Sequence, residues 1–149
     1  MKKYVLDANC YIDASRDSEA VSALTRFATW SAPGLFLSSV VAAELRAGAT
    51  TIKAREILEN DVLAPFLRRG RLVTPSRAAW DALGLTLATL RIKEGLQLSQ
   101  VKRSFALDVL LAYSCREHGA VLVTRNLRDM NRIRSIFSFA FTEPYPDQS

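Results

Sequence analysis

The chain has 149 residues, close to the most common size of one domain and long enough to enclose a sizeable hydrophobic core. Its composition, 49% hydrophobic and 23% charged, excludes disordered and fibrous classes and predicts one compact domain over residues 1–149. No apolar run reaches the roughly 18 residues of a membrane-spanning helix and no signal peptide is evident, so we expect a cytoplasmic protein. The formal net charge of +5 favours a polyanionic partner and leaves nucleic acid, acidic protein and anionic membrane surfaces open.

The first part of the chain predicts a strand, a helix and a second strand. A short β-rich run over residues 3–6 ends at Asp7, and a similar run covers residues 35–37. Between them, Ser18 is a suitable N-cap for an amphipathic helix that runs to Trp30. This order indicates a βαβ unit, the building block of parallel sheets.

The alternation of helices and strands continues along the rest of the chain. Further helices are predicted over residues 39–48 (with Gly48 as the residue after the helix), 51–69 (kinked or split at Pro65), 76–93 and 104–118. Further strands are predicted over residues 70–73, 120–123 and 137–142. Because the strands are continuously apolar, we predict an α/β fold, a three-layer sandwich with a mostly parallel central sheet of the Rossmann-like kind.

The helix over residues 76–93 has the most regular apolar pattern in the chain. Trp80, Leu83, Leu87 and Leu90 recur at three- and four-residue spacing, so this stripe is expected to face the core. Together with the helix over residues 51–69, however, it offers more apolar surface than a small sheet covers. We expect the excess to serve a protein interface.

Four acidic residues stand in unusually apolar surroundings or at predicted strand ends. Asp7 directly follows the first strand, Glu44 lies within SVVAAELRAG, Asp108 lies within FALDVLLAY, and Asp129 lies in a loop after the strand AVLV. Each has an ordinary explanation by itself, as a helix cap, a helix-dipole partner or a turn residue. Several carboxylates buried together need a shared compensation, and a hard divalent cation such as Mg²⁺ or Mn²⁺ is the simplest one.

These motifs, DAN after the first strand, SSVVAAELRAG, SFALDVLLAY and VLVTRNLRD, resemble those of PIN-domain ribonucleases, and most closely the VapC-type toxins of toxin–antitoxin systems. The resemblance runs from Lys3 to about Phe141. It implies a PIN-like fold in which Asp7, Glu44, Asp108 and Asp129 form the catalytic, metal-binding quartet for Mg²⁺ or Mn²⁺. It also implies that Asn9, Thr124 and Asn126 support these acids as polar neighbours.

The resemblance implies a function as well. The protein would hydrolyse phosphodiester bonds in structured RNA such as tRNA, would be held by a cognate VapB-type antitoxin, and would form a homodimer. Basic residues near the proposed site are candidates for contacts with the RNA backbone: Lys102, Arg103, Arg125, Arg128, Arg132 and Arg134.

Three other functions compete with this interpretation. A receiver-type phosphoacceptor domain needs an aspartate after its third strand and a later lysine, whereas the third strand here ends in RLVTP and the last acidic loop carries arginines. A non-catalytic PIN-like module that binds RNA or protein has no reason to keep four acids in apolar surroundings. A housekeeping RNA-processing or DNA nuclease is the third alternative, and a neighbouring antitoxin gene would distinguish it from a toxin.

Overall fold

A five-stranded sheet forms the centre of the molecule, which is described here by a computed structural model covering all 149 residues. The strands are β1 (Lys3–Leu6), β2 (Leu35–Ser38), β3 (Leu72–Val73), β4 (Ala120–Val123) and β5 (Phe141–Thr142). They are ordered β3-β2-β1-β4-β5, and every neighbouring pair is parallel. The predicted α/β class is confirmed, and the sheet is entirely rather than mostly parallel.

Helices connect the strands and cover both faces of the sheet. They are α1 (Ala8–Ala14), α2 (Ser18–Ser31), α3 (Ser39–Gly48), α4 (Ile52–Ile57), a π-helical segment (Leu58–Leu63), α5 (Ala64–Arg68), α6 (Arg77–Glu94), a 3₁₀ turn (Leu98–Gln100), α7 (Arg103–Glu117) and α8 (Leu127–Arg134). None of them is both long and apolar enough to cross a membrane.

Side chains of β1 point alternately into two hydrophobic clusters, one on each face of the sheet. Val5 belongs to the larger cluster, which includes residues of α3, α6, α7 and α8, while Tyr4 and Leu6 join Phe27 of α2 in the smaller one. This alternation is what a strand buried on both faces produces, since successive side chains leave a strand in opposite directions. Both cysteines, Cys10 and Cys115, are buried and free.

The region after α3 departs from the predicted single helix over residues 51–69. It is split, as expected, but the irregularity begins at Leu58, well before Pro65. There the amide of Ala64 donates to the carbonyl of Glu59, five residues earlier, and Pro65 lies in the first turn of α5, where no amide partner is needed. The wider π-turn therefore accommodates the proline, which has no N–H to donate to a regular helix.

Several predicted boundaries were wrong for local reasons. Asp17, not Ser18, caps α2, because its Oδ2 accepts a hydrogen bond from the amide of Ala20 at 2.9 Å. Gly48 is the last residue of α3 and Ala49 caps it, so the glycine does not follow the helix. The last strand covers only residues 141–142, because the preceding aromatic run pairs with no neighbouring strand.

The apolar stripe of α6 faces the core in part, as predicted. Leu90 is buried, Leu83 packs against the core and Leu87 is half-buried, whereas Trp80 is 58% exposed. The N-terminal end of the stripe therefore faces solvent in the single chain.

Candidate active site

Four carboxylates come towards one another at the carboxyl edge of the parallel sheet. Asp7 directly follows β1, Glu44 lies in α3 just after β2, Asp108 lies in the second turn of α7, and Asp129 lies in the first turn of α8 after β4. Asp7, Glu44 and Asp129 each raise the pKa of Asp108 by charge repulsion, so all four lie within electrostatic reach. The structure thus brings together the acids singled out in the sequence, although Asp129 lies in a helix rather than the predicted loop.

Asp7 is buried and held on both carboxylate oxygens, with only 4% of the residue exposed. Its Oδ1 accepts a hydrogen bond from the amide of Ala8 at 2.7 Å, so the side chain also caps the start of α1. Its Oδ2 accepts from the Thr124 hydroxyl at 2.7 Å and from the Asn9 amide at 3.3 Å. Burial raises the pKa of Asp7, while the hydrogen bonds from Thr124 and Ala8 lower it.

Asp108 is the most strongly perturbed acid of the site. Burial raises its pKa to about 8, and repulsion from the other three carboxylates acts in the same direction. One hydrogen bond opposes this shift, since the side-chain amide of Asn126 donates to Oδ2 at 2.9 Å. A carboxyl group that keeps its proton near neutral pH releases it readily when a cation binds, because the bound cation stabilises the ionised form.

Glu44 places an unpartnered polar atom in the site. Its Oε1 is buried and has no hydrogen-bond partner, and burial together with the charge of Asp7 raises its pKa. Arg46 is close in sequence but does not neutralise it, because Arg46 instead pairs with Glu59 at 2.6 Å. Buried polar atoms without partners are rare in folded proteins, and one aimed among carboxylates is typical of a ligand site.

The three supporting polar residues form one network with the acids. The Thr124 hydroxyl donates to Asp7 and accepts hydrogen bonds from the Asn9 amide at 3.3 Å and from the backbone N–H of Asn126 at 3.0 Å. Asn126 precedes α8, yet its side chain does not cap that helix and reaches Asp108 instead. Asp7 and Asp108 are therefore oriented by residues of one short segment, 124–126.

The donor set suits a hard divalent cation. All four acids and their polar neighbours offer oxygen ligands, no histidine or thiolate lies among the donors, and Glu44 Oε1 is free to bind. The side chains are not closed around a single point, however, since no three acidic, histidine or cysteine residues are positioned to hold one ion as they stand. The oxygen chemistry of the residues fits Mg²⁺ or Mn²⁺.

The candidate RNA-contacting cations divide into two groups. Arg125 pairs with Asp13 at 2.7 Å, and Arg132 pairs with Glu94 at 2.9 Å and lies 4.9 Å from the ring centre of Phe105. The remaining candidates are exposed at the surface and form no ion pair: Lys102, Arg103, Arg128 and Arg134.

Sequence reasoning missed Asp13 and the helix that carries it. Asn9 and Asp13 are four residues apart on α1, and both accept hydrogen bonds from Arg125. Asn9 accepts from the backbone N–H of Arg125, and Asp13 accepts from its guanidinium. A capping aspartate followed by polar residues at four-residue spacing was the available signal, because residues four apart share one face of a helix.

Comparisons with known proteins agree with this geometry. Residues 4–135 match the PIN domain family. A chain of the DNA-bound VapBC complex of Salmonella typhimurium is similar in structure, with a TM-score of 0.70 and 23% sequence identity over 97% of this chain and 100% of that chain. Chains of FitAcB from Neisseria gonorrhoeae (TM-score 0.68, 20% identity, covering 95% of this chain and 97% of that one) and DNA-bound VapBC2 from Rickettsia felis (0.63, 24%, 94% and 97%) are also similar.

No curated protein matches the chain in sequence. At these low identities the solved structures establish the fold alone, whereas the family match extends over nearly the whole sequence. The all-parallel sheet with acids at its carboxyl edge and the match over residues 4–135 lead to one conclusion: the chain belongs to the PIN-domain family.

Proposed function

We propose that this single-domain PIN protein is a metal-dependent endoribonuclease, and that it acts in the cytoplasm as the toxin of a toxin–antitoxin pair. The observation that carries the proposal is the group of three poorly compensated acids, Asp7, Glu44 and Asp108, at the carboxyl edge of the sheet. No lysine or arginine of the chain pairs with any of them. Structural likeness to chains of VapBC complexes supports the toxin assignment.

Asp7 and Asp108 would hold the divalent ion directly, and Asp129 would complete the site from α8 either as a ligand or through water. Such an ion, Mg²⁺ or Mn²⁺, lowers the pKa of a bound water and neutralises charge on the leaving oxygen of a phosphodiester. Thr124, Asn9 and Asn126 hold the two aspartates in fixed orientations. Glu44 has a free oxygen with which to accept a hydrogen bond from the attacking water, which fixes the direction of attack.

We propose structured RNA such as tRNA as the substrate. Lys102 and Arg103 lie at the start of α7, one turn before Asp108, and Arg128 neighbours Asp129 in α8. All three are exposed cations without a carboxylate partner, so they are free to contact backbone phosphates. Contacts of this kind give affinity that falls as salt rises.

Two protein partners are part of the proposal, a second copy of the chain and a VapB-type antitoxin. Apolar side chains are exposed along α4 and α6, including Ile52 and Leu85, and Ile92 reaches 85% exposure. Several large apolar side chains exposed on two helices are typical of a protein interface. A monomer at micromolar concentration by light scattering would contradict the homodimer.

The deciding experiment is cleavage of a small-RNA pool by the purified protein with Mg²⁺ and with EDTA. Asp7→Asn is compared with Asp81→Asn, which removes an exposed carboxylate on α6, a helix that carries none of the four site acids. We expect discrete products from the wild type and Asp81→Asn in Mg²⁺ only, and none from Asp7→Asn. If all variants bind RNA and none cleaves it, a binding module is favoured. Cleavage of DNA but not RNA would favour a housekeeping nuclease, as would the absence of a neighbouring antitoxin gene.

A further inference from the structure

We propose that Asp13 and Arg125 form a clasp that positions the acid-holding segment 124–126, so that Arg125 is a positioning residue rather than an RNA contact. The inference rests on the proposed function, because it concerns the same site. It reassigns a cation that sequence reasoning placed against the phosphate backbone.

The clasp joins two parts of the chain that are 112 residues apart. Asp13 lies on α1, and Arg125 lies between β4 and α8. The guanidinium binds both carboxylate oxygens, with Nε 2.7 Å from Oδ2 and Nη2 2.9 Å from Oδ1. This two-pronged geometry fixes the direction as well as the distance of the pair, which a single lysine–carboxylate contact does not do.

Arg125 stands between the two residues that orient the catalytic acids. Thr124 donates to Asp7 and Asn126 donates to Asp108. The backbone N–H of Arg125 also donates to Asn9 Oδ1 at 3.3 Å, so α1 holds this residue through both its main chain and its side chain. A shift of Arg125 therefore moves both donors relative to the acids.

The main chain holds the two ends of the segment, because the N–H of Thr124 donates to the Thr142 carbonyl at 2.9 Å and the Asn126 carbonyl accepts from the N–H of Met130 at 3.2 Å. Between these ends, the Arg125 side chain is held by Asp13. Asn126 does not adopt helical geometry, and no side chain caps the start of α8. The arginine side chain is 60% exposed, and most ion pairs at such positions contribute little to global stability. A local role in ordering the segment accounts for a two-pronged pair at this place better than a contribution to overall stability does.

Arg125 acts either by positioning the segment or only through its positive charge, and the two explanations predict opposite changes in Mn²⁺ affinity. Calorimetry without RNA measures this affinity. If the residue acted only through its positive charge, Arg125→Gln would tighten Mn²⁺ binding by removing repulsion. We expect it instead to weaken binding about three- to tenfold, less than the 10–100-fold typical of residues bonded directly to a ligand. Arg125→Lys keeps the charge but loses the two parallel N–H donors of the guanidinium, so it should weaken Mn²⁺ binding as well.

Two further variants complete the experiment. Arg46→Gln breaks the Arg46–Glu59 pair, which is also two-pronged, and leaves no free arginine beside Glu44, so it should not weaken Mn²⁺ binding. Asp13→Asn combined with Arg125→Gln should be no worse than Arg125→Gln alone, since both changes open the same clasp. Tighter binding by Arg125→Gln, or additive losses in the double variant, would overturn the proposal.

Amide hydrogen exchange of residues 123–127 separates this inference from the proposed function. We expect faster exchange in Arg125→Gln and Asp13→Asn and wild-type exchange in Arg46→Gln. Unchanged exchange in the first two would overturn the clasp even if RNA is cleaved. A wild-type protein that bound no Mn²⁺ or cleaved no RNA would overturn the proposed function, while the exchange data would still uphold or reject the clasp.

Discussion

Two acidic regions of this chain differ in whether their carboxylates have a cationic partner. On the outer face formed by α3 and the π-helical segment, Glu59 meets Arg46, and this hydrogen-bonded partner lowers the pKa of the glutamate. At the carboxyl edge of the sheet, Asp108 is buried among three other carboxylates and its pKa rises to about 8. The chain has 20 lysines and arginines but pairs none of them with Asp7, Glu44 or Asp108. The comparison teaches that this chain pairs a surface glutamate with an arginine but leaves the buried site acids without a cation, which is what the proposed metal site requires.

The largest expected effect comes from Asp108→Asn, which should act on activity and stability in opposite directions. RNA cleavage in Mg²⁺ should fall by about 100-fold or more, because a direct ligand to the catalytic ion contributes several kcal/mol to transition-state stabilisation. The metal-free variant should nevertheless resist urea better than the wild type at pH 8.5, since it no longer buries an ionising carboxylate. Loss of cleavage together with lower stability would point instead to a folding role.

The same raised pKa makes metal-free stability depend on pH. Because the pKa of Asp108 is about 8 in the folded protein and ordinary in the unfolded chain, the folded state binds more protons between about pH 4 and pH 8. The free energy of unfolding should therefore fall as pH rises through this window, and Asp7 and Glu44, whose pKa values are also raised, act in the same direction. Urea unfolding at pH 5 and pH 8.5 measures this slope, which Asp108→Asn should reduce.

Thr124→Val tests the polar network and should have an effect of intermediate size. The change removes the hydroxyl that donates to Asp7 at 2.7 Å and keeps the shape of a side chain that is fully buried. We expect Mn²⁺ affinity to fall about 10–100-fold, because residues that orient a metal ligand typically have effects of this size. Thr124→Ser keeps a hydroxyl and should restore most of the affinity in calorimetry, and equal losses in both variants would assign the effect to packing.

The smallest effect is expected on the outer face. Arg46→Gln breaks the exposed pair with Glu59 but removes no buried contact, and it leaves no free cation beside Glu44. RNA cleavage should match the wild type, and the thermal midpoint should change less than it does in Asp108→Asn. A change in cleavage as large as that of Thr124→Val would mean that the two acidic regions are coupled through α3.

Local patterns predicted much of this molecule. Apolar runs at residues 3–6 and 120–123 became the strands β1 and β4 with the predicted bounds, because continuous apolar stretches of this length are buried on both faces of a parallel sheet. The α/β class and the acids in apolar surroundings followed from the same kind of evidence. Local patterns were less complete for α6, where Leu90 of the predicted stripe is buried but Trp80 is exposed, since how far the stripe meets the core depends on where α7 packs against it.

The sequence by itself determined the alternation of strands and helices, the four acids and the family they resemble, because spacing and residue type are local properties. Only the tertiary structure decided that Arg46 pairs with Glu59 and leaves Glu44 Oε1 without a partner. It also decided that segment 124–126 holds both Asp7 and Asp108, and that Asp13 holds Arg125. These contacts join residues far apart in the chain, and no local pattern specifies which distant side chains the parallel sheet brings together at its carboxyl edge.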